Sequence, residues 1–124
     1  MWVKVNPNPA GQMVPDCVVR AICVALDLPW LQVYDEICAV GRSVYNMPSS
    51  DPVWGRYLYE KGFEPFILPR ACPMCITIRE FCKFYPRGTY IIGTGSHAVA
   101  VIDGNYYDSW DSGSEIPSFF WRIR

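Results

Sequence analysis

The spacing of apolar residues changes along the chain and divides it into a helical front and a stranded back. Residues 1–15 carry Pro7, Pro9, Gly11 and Pro15 and predict an extended lead-in without a helix. From Cys17 to Leu26 apolar side chains cover nearly the whole circumference of a helix, with Arg20 the only charge. A central helix buried on most sides is expected there, with Asp16 as its N-cap and Cys17 on its first turn. Trp30, Val33, Tyr34, Ile37 and Cys38 recur at helical spacing and predict a second helix from Pro29 to Val40, ended by Gly41. A third starts at Asp51-Pro52 and stops at Gly62, and Phe63 to Leu68 reads as a short strand or extended segment. Thr77 and Glu80 have the offset of a capping box, which places a fourth helix from Ile78 to about Tyr85. After Gly88 the runs shorten and become rich in β-branched and aromatic residues: Tyr90–Gly93, His97–Ile102, Tyr106–Trp110 and Phe119–Ile123. Helices first and strands last predict an α+β fold, N-terminal helices packed on a C-terminal antiparallel sheet.

With 11 Lys and Arg against 12 Asp and Glu, the formal charge is −1, so no nucleic-acid partner is expected; that role needs a basic excess on one face. A length of 124 residues fits one domain over 1–124 that buries a core without staples. The opening Met-Trp-Val-Lys-Val-Asn has no basic flank followed by a long apolar segment, and Arg20 and Asp27 break the most apolar stretch. Neither a secretion signal nor a membrane span is expected, which implies a cytoplasmic setting where the six cysteines stay free thiols.

A thiol at the start of a buried helix meets unpaired amides and the positive end of the helix dipole, which favour the thiolate. A thiolate nucleophile also needs a base, and the single histidine, His97, follows Cys17 in the order that suits a cysteine hydrolase. Hairpin geometry supplies a third member. If Asp103-Gly104 is a two-residue turn, Ile102 pairs with Asn105, so Val99 faces Asp108 and His97 faces Trp110. Asp108 then lies diagonally from His97, about 7–8 Å between backbones and within side-chain reach. Trp110 on the same side shields the pair from water. A turn at Gly104-Asn105 would instead set Asp108 opposite Val101, too far along to orient His97.

These residues resemble the papain-like cysteine peptidases. Cys17, His97 and Asp108 occur in that family's order, and Asp108-Ser109-Trp110 is similar to its Asn-Ser-Trp signature. Asp16-Cys17 before an apolar helix, with His97-Ala98-Val99-Ala100-Val101 later, looks still more like the peptidases that cleave bacteriocin leaders. Over most of the chain the sequence is similar to small phage and bacterial proteins. These share Asn8-Pro9-x-Gly11, Val33-Tyr34-Asp35-Glu36 and the run from Tyr106 to Gly113. The resemblance implies a papain-like fold and hydrolysis of a peptide or isopeptide bond in a peptide or protein substrate, in a bacterial or host cytoplasm, with no cofactor and no metal. It also implies an oxyanion donor before the nucleophile. Gln12 lies five residues ahead, where the family places a glutamine about six ahead, and Asn8 is its rival. The backbone amide of Cys17 supplies the other donor. A papain-like module that binds or inhibits without turnover is the alternative reading, and a transferase using the same thioester is another.

The remaining candidates read as structural. Cys23 and Cys38 sit at apolar helix positions and are expected in the core. Cys72-Pro-Met-Cys75 has the spacing of half a zinc site or of a redox pair; Cys82 and His97 would complete the zinc site only by consuming the one base, and Pro69 and Pro73 frame the motif where a redox pair would open a helix, so a plain loop is expected over either. Trp30, Trp54, Tyr57 and Tyr59 read as packing, and Arg20, Arg42, Arg56 and Arg70 as solvated charges.

Overall fold

A computed structural model describes residues 1–123. The elements follow in the order β1 (Trp2–Lys4), α1 (Cys17–Leu26), α2 (Trp30–Ser43), α3 (Asp51–Glu60), β2 (Phe63–Ile67), α4 (Ile78–Phe84), β3 (Thr89–Gly93), β4 (Ala98–Ile102), β5 (Asn105–Asp108) and β6 (Phe119–Ile123). The strands form one sheet in the order β1-β5-β4-β3-β6-β2. The fold is α+β, as expected, but the sheet is mixed rather than antiparallel. The lead-in contributes β1, which pairs parallel to β5 with Trp2 opposite Tyr106, while every other pairing is antiparallel. Three residues ahead of a proline-rich run are too short to show a period of two. Their strand identity comes from the partner.

The hairpin has the register its turn predicts. Asp103 and Gly104 both have positive φ, 49° and 79°, and Ile102 pairs with Asn105, Val101 with Tyr106 and Ala100 with Tyr107. Mirror-image turns of this kind match the right-handed twist of the flanking strands. Alternation along β4 then separates two cores. Ala98 and Ala100 face α1, packing with Ile22, Val33, Ile37 and Leu58, while Val99 and Val101 face α4, packing with Ile78, Phe81 and Phe120. Small residues on the α1 side let that helix lie close to the sheet.

β4 starts at Ala98 rather than His97 and β5 runs from Asn105 to Asp108 rather than on to Trp110, and two helix ends also differ from expectation. Gly41 does not end α2, which runs on to Ser43; a Cβ there would stand 2.6 Å from the Asn46 carbonyl oxygen, so glycine permits the chain to turn back against the helix. Asp16 occupies the N-cap position of α1 but its side chain makes no cap hydrogen bond. It is committed elsewhere.

Candidate active site

Cys17 is the first residue of α1 and is half-buried beside the start of β4. His97 lies one residue before β4, outside the strand, where Gly95 at φ 99° lets the chain reverse after β3 and the Thr94 amide donates to the His97 carbonyl at 2.9 Å. Asp108 is the last residue of β5 and fully buried. Strict alternation would carry His97 and Asp108 onto the face of Val99 and Tyr106, away from α1. They meet at the end of the sheet because the β4–β5 ladder has stopped: its last pair before them is Ala100 with Tyr107.

His97 Nε2 and Asp108 Oδ2 are 2.6 Å apart, and His97 is hydrogen-bonded to Cys17. With Nε2 held by the carboxylate, Nδ1 is the ring nitrogen left for the sulfur. Trp110 lies against the imidazole with ring centroids 5.0 Å apart while staying partly exposed, as a shield would. The structure thus brings together Cys17, His97, Asp108 and Trp110. It does not bring in Gln12 or Asn8. Gln12 is exposed on the lead-in, Asn8 accepts from the Ala10 amide through its own Oδ1 at 2.8 Å, and neither lines the cavity at Cys17.

The electrostatics favour a thiolate beside an imidazolium. Burial works to raise the Cys17 pKa, but hydrogen bonds from His97 and the Ala98 amide, with the positive charges of His97 and Arg20, hold it below its ordinary value. Burial likewise works to lower His97, yet its hydrogen bonds to Asp108 and Cys17 and their negative charges push it up to about 9. Asp108 is held below the usual carboxylate range despite burial, by hydrogen bonds from His97, Ser112 and the Ser109 amide.

Sequence reasoning missed the groups behind this arrangement. Arg20 is buried, not solvated, with Nη1 at 2.6 Å from Asp16 Oδ1 and Nη2 at 2.9 Å from Asp108 Oδ1. Asp16 Oδ2 also accepts from the Trp30 indole at 2.8 Å, which is why it does not cap α1. Ser112 donates to Asp108 Oδ2 at 2.6 Å and the Ser109 amide to Oδ1 at 2.8 Å. Arg20 had a legible signal: a lone charge on an otherwise apolar helix must find a buried partner. Ser112 had none.

A cavity of about 340 Å³ opens beside Cys17 and His97, walled by Val18, Ile37, Trp54 and Phe119. Cys38 also lines it and is half-buried, so it is not the core residue its helical position predicts. Cys72 and Cys75 are joined by a disulfide, which corrects the expectation of a plain loop with free thiols in favour of the pairing alternative, and with His97 held by Asp108 the four-ligand zinc alternative has no set of donors. Among the described residues no group of three or more His, Cys, Asp or Glu is placed to hold a metal ion, and no single helix is long and apolar enough to cross a membrane. Compared with protein-family models, with curated proteins and with solved structures, the chain matches none.

Proposed function

We propose that the chain is a papain-like cysteine hydrolase that opens an amide bond, peptide or isopeptide, in a peptide or protein substrate. The observation that carries this reading is the continuous hydrogen-bonded line from Cys17 through His97 to buried Asp108, at the mouth of a cavity. The Cys17 thiolate attacks the carbonyl carbon, forming a carbon–sulfur bond and an oxyanion. His97 gives its Nδ1 proton to the departing nitrogen, the carbon–nitrogen bond breaks, and an amine leaves behind a thioester. Water then loses a proton to His97 and attacks the thioester; the acid product departs and the thiolate and imidazolium are restored. Asp108 keeps the ring turned so that Nδ1 meets the sulfur. The free amide of Cys17 at the helix start supplies one oxyanion donor. No step needs a cofactor.

Alkylation by iodoacetamide across pH, followed at the Cys17 peptide by mass spectrometry, tests the reading. Cys17 is expected to react well below the range of an ordinary thiol, and His97→Ala to remove that advantage. A Cys17 that reacts only above about pH 8 would point to a papain-like module that binds or inhibits without turnover.

A further inference from the structure

Arg20 makes and breaks no bond in the proposed chemistry, yet it is among the few charged side chains buried in the protein. Enclosing a guanidinium is costly unless its donors are matched, and here both arms are: one on Asp16, the residue before Cys17, the other on Asp108. The arrangement is directional. A carboxylate is free to rotate about its last carbon–carbon bond and swap its oxygens. Arg20 Nη2 and the Ser109 amide occupy Asp108 Oδ1, which leaves Oδ2 for His97 and Ser112. Arg20 also stands three residues after Cys17 on the same helix, so α1 fixes the rise between their Cα atoms at about 4.5 Å, at about 1.5 Å per residue. The acid from the back of the chain is thereby referenced to the helix that carries the nucleophile.

We propose that Arg20 is a positioning residue of the site: held by Asp16, its planar fork fixes the Asp108 carboxylate, and through it the His97 ring, relative to Cys17. This rests on the hydrolase reading above. The fork is the property required, because a lysine ammonium is a point donor that does not span two carboxylates in a plane.

Arg20→Lys keeps the charge and the buried stem and removes the fork. The expected result is a cooperatively folded protein whose Cys17 reacts with iodoacetamide at pH 7 at least about tenfold more slowly than wild type, the pH midpoint moving up toward the ordinary thiol range. A second variant, Asp16→Ala, frees the other arm of Arg20 without touching Asp108 or His97. It is expected to move the same midpoint in the same direction, by less, and to add little when combined with Arg20→Lys. A merely structural role would lower the melting temperature and leave the midpoint in place. A folded Arg20→Lys with the wild-type midpoint overturns the proposal, and if that variant does not fold, an unmoved midpoint in Asp16→Ala overturns it alone. A wild-type Cys17 with ordinary thiol reactivity would overturn the hydrolase reading and this proposal together; a low wild-type midpoint shared by the variants overturns only this one.

Discussion

At the scale of single residues, the pair formed by Cys17 and His97 sets a working range of pH. The reactive form has the sulfur deprotonated and the imidazole protonated. It is populated above the pKa of Cys17, which is held low, and below that of His97, which is pushed up to about 9. The proposed amide hydrolysis is therefore expected to follow a bell, with the alkaline limb falling near pH 9 as His97 loses the proton that the proposed mechanism gives to the leaving nitrogen, measured as kcat/KM on a cleaved peptide. The two limbs belong to the coupled pair rather than to one group each. An alkaline limb near the usual histidine range, about 6.5, would contradict the Asp108 contact. The pair was legible in the sequence by order and helix position. The burial of Arg20 had a signal in its lone charge on an apolar helix, but its partner Asp108, 88 residues away, had none.

Elements defined by neighbours in the chain matched their patterns best. The box at α4 is closed in both directions: Thr77 Oγ1 accepts from the Glu80 amide at 3.1 Å, and Glu80 Oε1 accepts from the Thr77 amide at 2.9 Å. A seven-residue helix has few internal hydrogen bonds, so this cap matters, and Thr77→Ala is expected to cost about 1 kcal/mol in urea unfolding while leaving Cys17 alkylation unchanged. The hairpin register was equally local, since the turn at Asp103-Gly104 dictates which residues oppose. What the turn did not dictate was where the ladder stops. His97 and Asp108 meet because regular pairing has ended, a condition set by the Gly95 reversal on one strand and by the run from Ser109 to Gly113 on the other. β1 was illegible for a related reason: a three-residue edge strand is defined by its neighbour.

On the scale of the whole molecule, the contacts of Asp108 tie the candidate site to acid stability. Asp108 has its pKa lowered in the folded protein, so it contributes stability that is present above its unfolded value of about 3.9 and is lost as pH falls through the lower folded value. Urea midpoints measured from pH 7 to pH 3 are expected to fall for wild type. Asp108→Asn is expected to start lower and decline less steeply; a decline equal to wild type would show that other carboxylates set the acid limit. The cavity also belongs to this scale, since its walls come from α1, α2, α3 and β6. By itself, the sequence determined the helical front, the capping box, the hairpin register and a thiol at a helix start, because each depends on residues a few positions apart whose backbone preferences agree. Only the tertiary structure decided that the lead-in joins the sheet in parallel, that Asp16 forgoes its cap for Arg20, that Cys38 faces a cavity, and that Ser112 and Arg20 complete the shell of Asp108. The β1–β5 pairing, the Arg20–Asp108 contact and the cavity walls join distant segments, and a buried charge or strand edge takes whichever partner the packing of the whole chain brings within reach.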